Sequence, residues 1–182
     1  MLDTVKKEVH VFDIKTKAFI KSIPVKGLAR HFALCNGKLW VSLVSSYSVN
    51  VPKEDIGLAC INTTNNTVEA NVNIPNIGSN RYIQTTKKGD KIFVLENTFN
   101  ADYSTNSNIS TVNTQTKAIE NTSLYKGESF YGLGYNKITD KVYILVSPST
   151  STNGTLLLCD TKGNLIKEIE TGIAPQHVVF YQ

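Results

Sequence analysis

Apolar positions along this chain recur in short runs and not with helical spacing. No stretch of about a dozen residues places them at i, i+3, i+4 and i+7, the pattern of an amphipathic helix. The runs are rich in Val, Ile, Leu, Phe and Tyr, and they are separated by Asn, Gly, Asp, Ser and Thr, which stabilise turns. The pattern predicts an all-β protein built from short antiparallel strands.

One turn pattern occurs four times, anchored at Asp13, Asn62, Asn113 and Asp160. In each copy the Asp or Asn ends one strand, and a second strand begins after a few polar residues. The anchor side chain can accept a hydrogen bond from its own backbone two residues further on and so close a tight turn. The anchors recur at intervals of about 50 residues, which is the spacing of four-stranded propeller blades.

A second hairpin lies between successive anchors and raises the count to four strands in each repeat. Its later strand carries an aromatic residue followed by an aliphatic one, as in Trp40-Val41, Phe93-Val94 and Tyr143-Ile144. Such a sheet buries both faces when it packs between two neighbours around a ring, so we predict a β-propeller with about four blades of four antiparallel strands. A β-sandwich is the alternative, but a sandwich does not predict that a turn motif recurs about every 50 residues.

The predicted boundaries treat residues 1–182 as a single propeller region. We label the strands of a blade a to d from the centre of the ring outward. The interpretation gives a partial blade with strands c and d over 8–25, complete blades over 29–75, 80–124 and 129–170, and a closing strand a over 176–181. Residues 1–7 are poorly suited to supply the missing strand b. Because propellers have about 4–8 blades, we interpret the chain as the C-terminal half of a larger ring.

Composition and charge exclude several classes of protein. The 41% hydrophobic and 19% charged fractions are those of a foldable chain. Apolar runs such as Val142–Val146 are far shorter than the roughly 20 residues of a membrane span, and the N-terminus lacks a signal-peptide pattern. The net charge is +4, but the basic residues are scattered and the only doublets are Lys6-Lys7 and Lys87-Lys88, so we predict no nucleic-acid binding. We interpret Lys87–Asp90 as a solvated turn.

No recognisable catalytic or metal-binding motif occurs in the sequence. The cysteines Cys35, Cys60 and Cys159 have no short metal spacing, and we expect free thiols, with those of Cys60 and Cys159 buried as small hydrophobic groups. No G-x-S-x-G, H-E-x-x-H or phosphate-cradling glycine loop is present. The histidines, His10, His31 and His177, have no sequence-local partner at metal spacing. We therefore predict no enzyme, no metal and no cofactor.

Two stretches resemble known propeller families. The turn Asp13–Lys17 and the Gly172–Pro175 segment before the last strand resemble YVTN-type, YncE-like repeats of surface-layer proteins. From Phe130 to Phe180 the chain resembles the end of surface lipoprotein propellers of gut Gram-negative anaerobes. That resemblance implies a seven-bladed ring on the cell surface, held outside the outer membrane by a lipid-bearing cysteine that this chain lacks. Some members of that family capture cobalamin and pass it to a TonB-dependent transporter, and the resemblance implies this role as an expectation for the present chain.

Ligands of propellers usually bind on loops at a mouth of the central channel. At the d-to-a loops we predict contacts from Arg30, His31, Arg81, Tyr82, Phe130, Tyr131, Gln176 and His177. At the b-to-c loops we predict contacts from Tyr47, Phe99, Asp102 and Tyr103. Aromatic rings supply contact area at low entropic cost and arginine binds phosphate or carboxylate, so this set suits a large, flat, amide-rich and phosphate-bearing ligand. We call His31, Tyr82, Tyr131 and His177 the His and Tyr column, and packing between blades is the alternative role of these four residues.

Three functions follow from these observations. The first is a non-catalytic binding propeller of the cell surface that captures a corrinoid such as cobalamin and passes it to an outer-membrane TonB-dependent transporter. The second is a protein-interaction or surface-layer module without a small ligand. The third, least supported by the sequence, is a lactonase or quinoprotein-like enzyme, which would need metal ligands clustered at the channel.

Overall fold

The computed structural model describes residues 2–3, 6–46, 49–77, 82–102 and 104–181. Strands dominate it, and one short 3-10 helix spans Lys53–Asp55. The strands are β1 Leu2–Asp3, β2 Glu8–Phe12, β3 Phe19–Pro24, β4 Leu28–Cys35, β5 Lys38–Val44, β6 Gly57–Asn62, β7 Thr67–Asn73, β8 Ile83–Thr85, β9 Lys91–Phe99, β10 Thr105–Asn113, β11 Ala118–Glu128, β12 Phe130–Asn136, β13 Lys141–Val146, β14 Asn153–Asp160 and β15 Leu165–Ile173.

These strands form four antiparallel sheets in which consecutive strands are neighbours. Sheet 1 has the order β1-β2-β3, sheet 2 β4-β5-β6-β7, sheet 3 β8-β9-β10-β11 and sheet 4 β12-β13-β14-β15. The all-β prediction is confirmed, and sheets 2 to 4 each contain four antiparallel strands, the number that the repeat predicts for a blade. The chain divides into two compact units, Met1–Ile77 with sheets 1 and 2, and Gly78–Gln182 with sheets 3 and 4. We call them unit 1 and unit 2.

The N-terminal sheet differs from the sequence-based expectation. Leu2 pairs with Val9 and Asp3 with Glu8, so β1 occupies the position of strand b beside β2. The expectation that residues 1–7 could not supply this strand is wrong. Backbone N–H and C=O groups make the ladder, so a two-residue strand pairs without an apolar run of its own.

The turn anchors are confirmed. Asp13 Oδ1 accepts hydrogen bonds from the backbone N–H groups of Lys15 and Thr16 at 2.9 and 2.7 Å. Asp160 Oδ1 accepts from the N–H groups of Lys162 and Asn164, both at 2.9 Å. Hydrogen bonds from Asn164 lower the pKa of Asp160 to about 2. Asn62 and Asn113 make the equivalent bonds to the N–H two residues on, at 2.8 and 2.9 Å.

A threonine after an anchor ties two turns together at one end of a sheet. Thr63 Oγ1 donates to the carbonyl of Gly37 at 2.7 Å in sheet 2. Thr114 Oγ1 donates to the carbonyl of Gly89 at 2.6 Å in sheet 3. In both sheets the turn between strands c and d is therefore held against the turn between strands a and b.

Each unit has its core between its two sheets. In unit 1, Val9 and Ile23 of sheet 1 pack against Val41, Leu43 and Ile61 of sheet 2. In unit 2 the core joins Phe93, Leu95, Ile109 and Tyr125 of sheet 3 to Phe130, Leu133, Tyr135, Val142, Ile144 and Cys159 of sheet 4. Face-to-face packing of four-stranded sheets is the arrangement of propeller blades. Trp40 is fully buried, as expected for a packing residue, and the three cysteines are buried.

The C-terminal segment lies against sheet 4 without pairing in a ladder. Residues 174–181 contain no assigned strand. A Cβ at Gly132 would be 2.4 Å from the carbonyl oxygen of Gln176, and one at Gly134 would be 3.1 Å from Val178 Cβ. The two glycines of β12 thus make room for the segment. Strand pairing by residues 176–181 stays a prediction.

Candidate functional site

Three of the predicted contact residues lie in β-bulges at the start of strand a. The register of β4 shifts between Ala29 and Phe32, and that of β12 shifts between Phe130 and Gly132. The residues inside the bulges are Arg30, His31 and Tyr131. A bulge leaves a residue out of the ladder and redirects its side chain, and bulges are over-represented next to binding sites.

Buried serines make hydrogen bonds with backbone groups in or beside the two bulges. Ser42 Oγ accepts from His31 N–H at 2.9 Å and donates to the His31 carbonyl at 3.3 Å. Ser107 Oγ accepts from Phe130 N–H at 2.9 Å. Both serines are buried, so these backbone groups of His31 and Phe130 are satisfied inside the protein.

Tyr82 and His177 of the predicted column meet in unit 2. The Tyr82 hydroxyl lies 3.0 Å from His177 Nδ1 and 3.2 Å from Nε2. The two rings are perpendicular, with centroids 5.4 Å apart. Burial raises the pKa of the Tyr82 hydroxyl. The pair connects the chain just before β8 to the C-terminal segment, which is the packing role that was the alternative for this column.

A cavity of about 200 Å³ lies in unit 2 at the end of the sheets where the d-to-a and b-to-c connections are found. We call it the loop cavity. Three predicted contact residues line it, Phe99, Tyr131 and Gln176. Hydroxyl groups supply much of the remaining wall, among them those of Ser129, Ser147 and Ser149.

The serines of the loop cavity are held by hydrogen bonds within and between their loops. Ser147 N–H donates to the Ser129 carbonyl at 2.9 Å, and Ser147 Oγ donates to the Ser149 carbonyl at 3.2 Å. Ser149 Oγ accepts from the N–H groups of Ser151 and Thr152, both at 3.1 Å. The wall is therefore ordered before any ligand arrives, which lowers the entropic cost of binding.

Phe99 and Asp102 of the first b-to-c loop in unit 2 have different surroundings. Phe99 is 63% exposed at the edge of the loop cavity, which suits a contact role. Asp102 Oδ1 accepts from the backbone N–H and the hydroxyl of Ser104, at 3.0 and 2.6 Å. Those bonds lower the pKa of the Asp102 carboxyl. Asp102 therefore stabilises its own turn.

The prediction that Phe130 contacts a ligand is wrong. Its side chain is 2% exposed and belongs to the core between sheets 3 and 4. Its ring lies over Gly127, where a Cβ would be 2.7 Å from two ring carbons. Successive side chains of a strand point to opposite faces, so Phe130 enters the core while Tyr131 reaches the cavity.

Among the other predicted residues, the described ones do not line the loop cavity. Arg30 and His31 belong to unit 1, and Arg30 Nε is buried with no hydrogen-bond partner among the described residues. Tyr47, Arg81 and Tyr103 lie outside the described residues. His10 has a local carboxylate partner that sequence analysis missed, since its Nε2 is 2.9 Å from Glu8 Oε2 on the same face of β2. This hydrogen bond lowers the pKa of Glu8.

A second cavity in unit 2 was not predicted from the sequence. Its volume is about 310 Å³ and four lysines line it, Lys87, Lys88, Lys91 and Lys137. The lysine doublet at 87–88 was interpreted only as a solvated turn. The signal that could have found the cavity is Lys137, which occupies the equivalent turn of the next repeat.

Two searches of the described residues gave no candidate. No three His, Cys, Asp or Glu side chains within the described ranges are grouped so that they could hold a metal ion. In the same part of the chain, no helix has the length and apolarity needed to cross a membrane.

The chain is similar in fold to solved β-propeller structures. It superposes on hydrazine synthase of Kuenenia stuttgartiensis with a TM-score of 0.67 and 10% identity, over 93% of this chain and 44% of that one. It superposes on the β-propeller domain of the trilobed protease of Pyrococcus furiosus with a TM-score of 0.55 and 14% identity, over 79% and 42%. For the dihydro-heme d1 dehydrogenase NirN the values are 0.50 and 12%, over 91% and 34%.

These likenesses concern the fold alone, because the identities are low. The chain spans less than half the length of each of these three structures. No family model matches the sequence, and no curated protein matches it. The sheets and their neighbours together identify the chain as an all-β protein with the β-propeller fold.

Proposed function

We propose that this chain is a non-catalytic binding module that takes a neutral, amide- or hydroxyl-bearing group of a larger ligand into the loop cavity. One observation carries the proposal. Phe99, Tyr131 and Gln176 come from a b-to-c connection, a bulge in strand a and the C-terminal segment, and they converge on one cavity. The sequence independently predicts ligand contact for all three residues.

The chemistry of the wall selects the class of ligand. None of the described side chains that line the loop cavity is charged. Gln176 offers an amide donor and acceptor, and the serine hydroxyls offer both roles as well. Phe99 and Tyr131 supply aromatic surface for an apolar face. A primary amide or a sugar hydroxyl group fits this combination better than a phosphate does.

The size of the cavity limits how much of a ligand it encloses. About 200 Å³ is below the roughly 300–1,000 Å³ of sites that enclose a drug-sized molecule. A large ligand would insert one group and lie across Phe99 with the remainder. A corrinoid carries primary amides around a flat macrocycle, so it is the specific ligand that we propose.

The cellular role that goes with this proposal rests on the sequence resemblance of Phe130–Phe180 to surface lipoprotein propellers. In this form the protein works at the cell surface and passes the corrinoid to an outer-membrane TonB-dependent transporter. The loop cavity supports binding of an amide-bearing group, and the resemblance supports the location and the transporter partner.

The test is equilibrium binding of cyanocobalamin to the full chain by isothermal titration calorimetry. We expect Tyr131→Ala to weaken binding about tenfold, as for an aromatic contact residue worth more than about 1 kcal/mol. Tyr181→Ala is the matched control, because Tyr181 is 96% exposed and does not line the cavity. Its dissociation constant should equal that of the unchanged protein.

Other outcomes separate the parts of the proposal. Binding of acetamide at the cavity, detected by NMR and lost in Tyr131→Ala, together with no cyanocobalamin binding, would keep the site and reject the corrinoid. Absence of binding for both probes would reject the small-ligand function and leave the protein-interaction module.

A further inference from the structure

The second cavity of unit 2 lies at the end of the strands opposite to the loop cavity. We call it the turn cavity. It is formed by the turn between β8 and β9, the turn between β12 and β13, and residues that flank them, and its volume is about 310 Å³. This volume is at the lower limit of the roughly 300–1,000 Å³ typical of small-molecule sites.

Positive charge dominates the wall of the turn cavity. Four lysines and two aspartates, Asp90 and Asp140, line it, so the formal sum is +4 − 2 = +2. Lys91 Nζ is paired with Glu120 Oε2 of β11 at 3.0 Å. Among the described residues, Lys87, Lys88 and Lys137 make no side-chain ion pair. Their ammonium groups are available to a ligand.

The two carboxylates are engaged within their own turns. Asp90 Oδ1 accepts a hydrogen bond from Thr86 Oγ1 at 2.5 Å. Asp140 Oδ1 accepts one from the hydroxyl of Tyr135. Because an oxygen of each carboxylate is directed at a local donor, the aspartates order the turns, and the lysines supply the groups that can face a ligand.

Hydrogen bonds hold the two turns in place around the cavity. The Tyr135 hydroxyl of sheet 4 accepts from the backbone N–H of Lys87 in sheet 3 at 3.3 Å, which links one turn to the other. Asn136 Oδ1 accepts from the N–H groups of Ile138 and Thr139 at 2.8 and 3.2 Å. A ligand would therefore have to order lysine side chains but not the backbone that carries them, which reduces the cost of binding.

We propose that the turn cavity binds a small organic anion with more than one phosphate or carboxylate group. Lysines from two turns, at 87–88 and at 137, can each meet a separate anionic group, and lysine binds such groups as a point charge. Ile138 and the Tyr135 ring provide an apolar wall for the carbon skeleton between them. The inference does not depend on the proposed function, because the loop cavity shares no lining residue with this one.

The test is calorimetric titration of the full chain with pyrophosphate and, separately, with citrate at low ionic strength. We expect saturable binding that weakens about tenfold in the double variant Lys87→Gln/Lys137→Gln, since exposed ion pairs contribute up to about a factor of five each. Lys87→Arg/Lys137→Arg should retain binding because it keeps both charges. A tighter constant for one probe would assign the ligand class as phosphate or carboxylate.

The matched control is Lys15→Gln/Lys53→Gln, which removes two lysines of unit 1 that do not line the turn cavity. Its affinity for the probes should be unchanged. The inference is overturned if neither probe binds saturably, if the Lys87→Gln/Lys137→Gln variant binds as well as the unchanged protein, or if the control loses as much affinity. Far-ultraviolet circular dichroism of each variant verifies that the sheets are retained.

Discussion

Substitution of Gly132 by alanine tests whether the C-terminal segment is seated on sheet 4. A Cβ at this position would be 2.4 Å from the Gln176 carbonyl oxygen and 2.9 Å from a methyl of Leu145. Both distances are shorter than real Cβ contacts, and the nearer atom is backbone, so it can move only if the segment moves. We expect Gly132→Ala to displace residues 175–181 from the sheet.

Two estimates of how much Gly132→Ala lowers the free energy of unfolding agree. Overpacking at a tight site costs about 1–3 kcal/mol. If the segment detaches instead, the protein loses the hydrogen bond between Tyr82 and His177, worth about 0.5–1.5 kcal/mol. It also loses the edge-to-face contact of Phe180 with Tyr143, whose centroids are 4.9 Å apart, worth about 0.5–1.5 kcal/mol. Either route lowers the free energy of unfolding by about 1–3 kcal/mol.

Calorimetric melting and two-dimensional NMR measure this effect. For a chain of this length, about 2 kcal/mol corresponds to a fall in the melting temperature of about 4–8 °C. Detachment would also abolish the nuclear Overhauser effects between the rings of Phe180 and Tyr143. Gly172→Ala is the control, because a Cβ there would meet no atom within 4 Å. Equal melting temperatures for the two variants, with the ring contacts intact in both, would refute the reasoning.

Two further predictions concern pH and thiol chemistry. Because hydrogen bonds lower the pKa of Asp160 to about 2, the stabilisation by this carboxylate is complete above the unfolded carboxyl pKa of about 4 and is lost as the pH falls towards 2. In urea unfolding, Asp160→Ala should therefore be less stable than the unchanged protein at neutral pH and should lose less stability in this acid range. An acid dependence equal to that of the unchanged protein would contradict the prediction. Burial raises the pKa of the Cys159 thiol to about 11, so Ellman's reagent at pH 8 should modify this residue only after denaturation. Rapid modification of Cys159 in the native protein, located by mass spectrometry, would count against this prediction.

The strand and turn pattern was predictable from the sequence because the interactions that create it are local. An Asx turn needs only a side-chain oxygen and a backbone N–H two or three residues away, as Asp13 has with Lys15 and Thr16. Apolar runs at a fixed period then set the four-strand repeat. The one strand that this pattern missed, Leu2–Asp3, is held by backbone pairing with β2 and has no sequence signal of its own.

The candidate site was predictable only in part. Tyr131 at the start of β12 and Gln176 in the C-terminal segment line the loop cavity, and their contact with a ligand stays a prediction. The sequence could not separate Tyr131 from Phe130, because the bulge in β12 and the facing sheet decide which of the two side chains enters the core. Both are aromatic neighbours, and only the direction of the side chain distinguishes a packing residue from a contact residue.

The sequence by itself determined the all-β class, the four-strand repeat and the chemistry of the anchored turns, because each of these depends on residues close together in the chain. Tertiary structure alone decided which distant residues meet. Tyr82 pairs with His177 across 95 positions, and Tyr135 holds Lys87 across 48. A cavity forms where loops of different sheets face each other, and that geometry depends on the packing of whole sheets, which no short stretch of sequence encodes.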